Sequence, residues 1–432
     1  MKPQKELEEE IKIEKLVFGG QGMGRLEDGR VAFVWNALPG ETVKITIVKK
    51  KKEFVEAIAT TILKPSPERV EPLTPHFLST SPWQILDFER ENHWKKAIAA
   101  ETYGKIGGLI FGENIPKIVS DDVQYGYRNK IEFSFCELED GKKSLAFFSR
   151  GGHSRVPVEK SDLAEPIINE VALSILKWIN TEHIPQRSLK SLIVRSNGEG
   201  KAIATLFLKD ELLFTNYPKI STGLLGFQLY YSTHKSPASV PTKLLYTEGQ
   251  DYLIAQLKST KLKFGLLSFF QVNIPIFDQC LTDIAAHLDP KMPLLDFYSG
   301  VGAIGLTLSH NREKCILVDS NEEAIEYAKD NIVLNNRTNC EAFCAPAEEI
   351  TDLISGDMQL VVDPPRAGLH NKVLHRIIAK RPPKIVYLSC NLSTQARDIR
   401  ILEEYYKITF IKLYNFFPRT PHIEGLIVLE RM

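Results

Sequence analysis

Leu294-Leu295-Asp296-Phe297-Tyr298-Ser299-Gly300-Val301-Gly302-Ala303-Ile304-Gly305 is the stretch on which the fold reading turns. An apolar run around one aspartate reads as a short strand, and the glycines behind it let backbone amides approach a nucleotide at the opening of a helix. A dinucleotide fingerprint looks similar, so a dehydrogenase and a methyltransferase both stay open at this point. Asp296 ahead of the glycines, and Asp319 at the end of the next strand where it could accept hydrogen bonds from a ribose diol, lean towards the methyltransferase.

Working outward, short apolar runs at residues 315–318, 360–362, 385–388 and 427–429 alternate with helical segments. Such alternation predicts an α/β fold, a doubly wound parallel sheet whose ligands bind at the carboxyl ends of the strands. Three motifs fall at those ends. Asp363-Pro364-Pro365-Arg366 follows one apolar run, and its prolines fix backbone torsions so that a carboxylate and a guanidinium can face a planar base. A plain turn is the competing reading. Ser389-Cys390-Asn391 follows another run. Most isolated cysteines are inert core residues, but Cys390 stands where such sheets keep their ligands, which suits a nucleophile. Phe416-Phe417-Pro418-Arg419-Thr420-Pro421-His422-Ile423-Glu424 precedes the last run and offers a carboxylate behind an aromatic, proline-shaped wall.

Toward the N-terminus the pattern changes. Residues 11–63 alternate β-rich runs with glycine turns, including Gly19-Gly20-Gln21-Gly22-Met23-Gly24, and read as a small barrel. Pro65, Pro67 and Pro72 then mark a linker. A middle α+β block follows, with a helix near residues 90–106 and strands at 131–135, 191–194 and 202–208. Arg128 and Lys130, beside Tyr127 and Asn129, form a basic and aromatic grouping suited to nucleic acid, or equally a charged edge beside a core strand. The expected domains are residues 1–66, 67–260 and 261–432.

A chain of 432 residues with 43% apolar and 25% charged side chains suits several packed domains rather than disorder. Its 54 basic and 54 acidic residues cancel, so any nucleic-acid surface must be local. The run from Lys49 to Lys52 is one candidate, a solvated strand end the alternative. Six cysteines without metal-ligand or disulfide spacing, a charged segment 1–10 and no apolar run of about 20 residues lead to the expectation of a cytoplasmic protein with no membrane contact.

Taken together these motifs resemble the RNA uridine-5-methyltransferase family, in particular bacterial 23S rRNA enzymes with an N-terminal TRAM domain. The matching segments are residues 18–25, 127–130, 268–273, 296–305, 363–366, 389–391 and 417–424, spread over nearly the whole chain. The resemblance implies a class I, Rossmann-like catalytic domain behind a TRAM/OB-like barrel and a central α+β domain. S-adenosylmethionine would be contacted by Gln271, Tyr298, Gly300, Gly302, Asp319 and Asp363. Cys390 would be the nucleophile and Glu424 the base, with Asp363 and Arg366 beside them; Arg366 is the candidate cation favouring the thiolate. Arg128, Lys130, Phe269 and Phe270 would meet an unstacked uridine in 23S rRNA. A monomer is expected. The position after Gly302, often Asn in relatives, is Ala303, and Leu392 replaces the proline that usually follows Ser-Cys-Asn. Many relatives hold an iron–sulfur cluster with four cysteines; Thr74, Thr80, Trp83 and Ser161 stand at those positions, so no metal is expected and packing around Trp83 and His76 should hold the region. A tRNA uridine, a cytosine, or RNA binding without turnover are the rival readings.

Overall fold

The computed structural model describes residues 8–112, 115–233, 235–236 and 239–432. The charged segment 1–7 lies outside the described residues. Strands β1 (Glu8–Leu16), β2 (Gly22–Arg25), β3 (Val31–Trp35), β4 (Thr42–Lys50) and β5 (Phe54–Lys64) close a barrel in the order β1-β2-β3-β5-β4. Alternation selects the inside: Ala32, Val34, Val55, Ala57 and Ala59 meet Ile11, Ile13, Val43 and Ile45 in its core. Alanines at three of these positions suit the narrow interior of a small barrel.

The chain continues through α1 (Phe77–Thr80) into α2 (Phe88–Gly107). Asp87 caps α2 by accepting from the amides of Glu89 and Arg90, and Gly108 ends it in the left-handed region at φ 71°. Next come β6 (Ile118–Val119), β7 (Lys130–Glu137), β8 (Lys143–Phe148), β9 (Arg155–Pro157), α3 (Pro166–Thr181), β10 (Leu189–Ser196), β11 (Ala202–Leu208), β12 (Leu224–Tyr231) and β13 (Lys243–Gly249). Seven of these strands form one sheet, β13-β12-β11-β10-β7-β8-β9. The apolar stripe of α3, from Ile168 through Ala172 and Ile175 to Ile179, buries against it.

The last part contains β14 (Tyr252–Leu257), β15 (Thr260–Gly265), α4 (Ile274–His287), β16 (Leu294–Phe297), β17 (Cys315–Asp319), α5 (Glu322–Leu334), β18 (Cys340–Cys344), β19 (Gln359–Val362), α6 (Asn371–Lys380), β20 (Lys384–Ser389), α7 (Leu392–Leu402), β21 (Tyr406–Tyr414) and β22 (Glu424–Arg431). An eight-stranded sheet runs β18-β17-β16-β19-β20-β22-β21-β6. Its central strands β16, β19 and β20 are buried almost end to end because both faces are covered. Leu294, Leu317, Val361 and Val386 enter one core, while Leu295, Ile316, Val362 and Ile385 enter the other.

Three expectations change here. The sheet is not parallel throughout: β22 runs antiparallel to both β20 and β21, because β21 and β22 are joined directly by residues 415–423 without a crossover. Residues 67–260 are not one unit, since α2 lies against α7 and β6 extends the catalytic sheet beside β21. The boundary at 260 also falls inside a hairpin, where Leu257 pairs with Thr260. Leu253, Ala255, Leu262 and Phe264 of that hairpin pack in the catalytic core, so the division moves to about residue 250. Apolar alternation predicted the strands but carries no information on which core they cover.

Candidate active site

Strand register gathers the site. Phe297 pairs with Val362, so Tyr298 and Asp363 leave neighbouring strands together. Ser389 pairs with Gly425 across the antiparallel β20–β22 ladder. Cys390, leaving β20, therefore emerges beside Glu424, entering β22. A cavity of about 770 Å³ opens there, lined at one end by Tyr298, Asp319 and Glu348 and at the other by Cys390, His422 and Glu424. Gln271, Asp363, Arg366, Arg128 and Phe269 also line it.

The glycine loop does not open a regular helix. Tyr298, Gly300 and Gly302 all have positive φ, at 65°, 54° and 88°. The Gly305 amide donates to Asp296 Oδ2 at 2.7 Å, and the Val301 carbonyl, its helical acceptor, takes Asn331 Nδ2 at 3.0 Å instead. Turns through residues 299–308 result. Gly300 donates to Asp319 Oδ2 at 2.9 Å, and the Asn321 amide to Oδ1 at 2.8 Å. Gly300 and Gly302 thus shape the loop, whereas Tyr298 and Asp319 face the cavity. Burial holds the Asp296 carboxyl up to about 8. Asp296 Oδ1 and Ser299 Oγ are buried without protein partners next to Tyr298, and Tyr298, Asp319, Ser320 and Glu348 give this end a lining that fits a polar ligand.

At the other end Gln271 Nε2 donates to Asp363 Oδ2 at 3.3 Å. Burial raises Asp363 to about 7, opposed by Gln271. Burial, then the charge of Asp363, pushes Glu424 well above the carboxylate range, with Arg366 opposing. Glu424 Oε2 is buried and unpartnered. Burial and the carboxylates of Glu424 and Asp363 raise the Cys390 thiol to about 11; Arg366 pulls it down but does not prevail. Arg366, the expected cation for the thiolate, thus acts on Glu424 as well as on the sulfur, and burial with the two carboxylates outweighs it at Cys390. Asn391 caps α7 by accepting from the Ser393 amide at 3.1 Å and donates to the Arg366 carbonyl at 2.8 Å. Those bonds hold the cysteine loop where Leu392, fully buried, replaces proline. Ala303 packs half-buried against the core.

Phe270 is not on the substrate side. It is 2% exposed and stacks on Phe264 with centroids 4.3 Å apart, whereas Phe269 is 61% exposed at the cavity. Adjacent residues of an extended segment face opposite ways, and the pair alone did not say which ring faced in. Arg128 lies over the Phe417 ring at 5.8 Å. Lys130 does not line the cavity; burial and Arg195 lower it to about 8. Thr74, Thr80, Trp83 and Ser161 surround no metal-ligand group among the described residues. Trp83 is buried, and its Nε1 donates to the Gly20 carbonyl at 3.0 Å.

Several positioning roles were not legible in the sequence, including those of Tyr127, Asn129 and Arg419, which the motifs already contained. The loop carrying Phe417, His422 and Glu424 is gripped by α2. Glu91 Oε1 lies 2.8 Å from Lys95 Nζ with both side chains fully buried, and Glu91 also accepts from the Arg419 amide and Asn415 Nδ2. Lys95 donates to Asn415 Oδ1 at 2.6 Å and the Phe417 carbonyl at 3.1 Å. Tyr127 donates to the Pro418 carbonyl at 3.0 Å. Asn129 Nδ2 donates to the Gln271 carbonyl at 3.0 Å, and buried Arg195 donates to the carbonyls of Gly265, Ser268 and Phe270. The quoted motif held Arg419 and His422, but the partners of that loop lie some 320 residues away, beyond any local pattern.

Fold and cavity together define an α/β methyltransferase domain carrying an appended barrel. The family described as tRNA (uracil-5-)-methyltransferase matches residues 111–432, and the TRAM domain matches residues 7–60. The chain belongs to this family of RNA uracil-5-methyltransferases, and S-adenosylmethionine is its methyl donor. Relatives include uncharacterised RNA methyltransferases of Caldanaerobacter subterraneus subsp. tengcongensis, 29% identical over 98% of both chains, and of Aquifex aeolicus, 29% identical over 97% of this chain and 98% of the relative. The crystal structure of tRNA (uracil-54, C5)-methyltransferase from Pyrococcus abyssi in complex with S-adenosyl-L-homocysteine covers 97% of this chain and 99% of its own, with a TM-score of 0.78 at 24% identity. That likeness is one of fold. No described helix is long and apolar enough to cross a membrane.

Proposed function

We propose that the protein methylates carbon 5 of a uridine in folded RNA through a transient bond between Cys390 Sγ and carbon 6. The observation that carries this reading is the β20–β22 register, which sets Cys390, the only cysteine lining the cavity among the described residues, beside a buried, unpartnered carboxylate, Glu424. Carbon 5 of uracil is a poor nucleophile, and addition of sulfur at carbon 6 moves electron density onto it. Gln271, Tyr298, Asp319 and Asp363 would hold S-adenosylmethionine. When bound, this donor supplies an electrophilic methyl group and a positive charge that favours ionised carboxylates.

The residues divide the proton traffic. Asp363, raised by burial to about 7, is suited to accept the thiol proton. Arg366 stabilises the sulfur anion. Once carbon 5 carries its new substituent, Glu424 takes the carbon 5 proton, the electron pair reforms the ring double bond, and the carbon–sulfur bond breaks. Phe269 and Arg128, both at the cavity wall, offset the cost of unstacking the base.

The RNA we assign first is 23S rRNA, on the resemblance of the barrel-bearing chain to the enzymes of that substrate. A tRNA uridine is the second reading, favoured by the description of the family that matches residues 111–432. Two measurements test both levels. Cys390→Ala should lose turnover and adduct together, whereas Glu424→Gln should accumulate a protein–RNA adduct stable on denaturing gels; turnover by Cys390→Ala ends the covalent reading. Mapping 5-methyluridine in rRNA and tRNA of cells with and without the gene decides between the substrates.

A further inference from the structure

We propose that Arg150 is a phosphate anchor for the RNA substrate, set where barrel, linker and central domain meet. Its guanidinium lies over the Trp35 ring of the barrel, 4.5 Å from the centroid, and its Nε donates to the Leu78 carbonyl of α1 at 3.0 Å. Three segments therefore fix the direction of one planar fork. Among the described residues no carboxylate forms an ion pair with it. A half-buried guanidinium without a counterion is costly to keep, and burial lowers its proton affinity. An indole face and one carbonyl orient the group while leaving its charge unneutralised, the arrangement that suits bidentate capture of an external phosphate.

Further cations lie nearby, alongside the acidic Glu53 and Glu56. Arg150 acts electrostatically on His422 in the cavity wall, together with Arg366, Lys95 and Arg128. Burial and these cations hold His422 neutral, at about 4. On the outer side, Gly151 abuts Val48 of β4, which brings Arg150 next to the β4–β5 turn. Lys49, near the end of β4, is paired with Glu56, while Lys50 and, in the turn, Lys51 and Lys52 are exposed. Arg155, farther along the same hairpin, lies 5.4 Å over the Phe148 ring, itself 55% exposed. In a chain of zero net charge, this local concentration of free cations and an open aromatic ring fits a nucleic-acid backbone with an unstacked base beside it. Arg150 is the member that acts on His422 of the catalytic loop, so its phosphate would fix which nucleotide enters the cavity, positioning the strand without reading the base.

This deepens the RNA-substrate reading and rests on it. Binding of a fluorescein-labelled oligouridylate, followed by anisotropy over a potassium chloride series, tests it without turnover. Arg150→Gln should weaken binding about tenfold, as loss of a charged hydrogen bond does, and should reduce the slope of log affinity against log salt by about 0.7, one single-strand phosphate. Arg150→Lys keeps the charge and should keep the slope while losing affinity. Donor binding should be unchanged in both. An unchanged slope and affinity in Arg150→Gln overturns the proposal; if that variant does not fold, a slope lowered in Arg150→Lys does so. Failure here leaves the Cys390 chemistry standing, and turnover by Cys390→Ala leaves this binding result standing.

Discussion

Replacing Glu91 by alanine tests how the catalytic loop is held. Glu91 accepts from Lys95 Nζ at 2.8 Å, from the Arg419 amide at 3.0 Å and from Asn415 Nδ2 at 3.1 Å, all without solvent access. Its removal strands an ammonium and a backbone donor. Breaking a buried pair from one side costs about 3–5 kcal/mol, which for a domain of this size is roughly 6–20 °C in melting temperature. Burial already lowers the proton affinity of Lys95, with Glu91 its largest support, so deprotonation of Lys95 limits the loss toward the lower end. Lys95→Met should be milder, about 1–3 kcal/mol, because Glu91 keeps Asn415 and Arg419. The double variant should lose less than the sum of the two. Guanidinium unfolding followed by tryptophan fluorescence reads all three, with Trp83 5.7 Å from Lys95 as reporter. A Glu91→Ala loss under about 1 kcal/mol, or strict additivity in the double variant, would refute the reasoning.

Gly20 has φ +90° and an added Cβ would lie 2.2 Å from Pro421 Cβ; Gly20→Ala should cost about 1–3 kcal/mol and reduce turnover on the order of 10–100-fold. Gly19→Ala, with φ +97° and nothing within 4 Å, shares the strain but not the clash, so equal turnover losses would sink the explanation. With its thiol near 11, Cys390 should be alkylated by iodoacetamide about tenfold faster per pH unit from about pH 7 to about pH 10. Arg366→Gln should slow it, and a plateau below about pH 9 on peptide mass spectra would contradict the assignment. Asp296 and Asp363, held at about 8 and about 7, bind protons in the folded chain that the unfolded chain has released. Their contribution therefore weakens stability as pH rises from about 4 to about 8 and is flat above. Melting curves at about pH 5 and about pH 8 should differ less in Asp296→Asn; an unchanged difference argues against the assignment.

The apolar runs, the glycine loop and the residues ending each run were legible in the sequence because strand period, turn chemistry and sheet-edge ligand sites are local rules. Asp363, Cys390 and Glu424 each stood at the end or start of such a run, and all three line one cavity. Tertiary structure alone decided that β22 lies antiparallel beside β20, which brings Cys390 and Glu424 together. It also decided that Phe270 turns inward while Phe269 faces the cavity, since rotation of a loop is fixed by the core it meets. The Glu91–Lys95 grip on the loop before Glu424, and the seat of Arg150 on Trp35, join segments distant in sequence. The sequence by itself determined which chemical groups the chain owns and at which strand ends they sit. Their distances, exposure and proton affinities come from burial and from partners on other elements, quantities that exist only once the chain has folded.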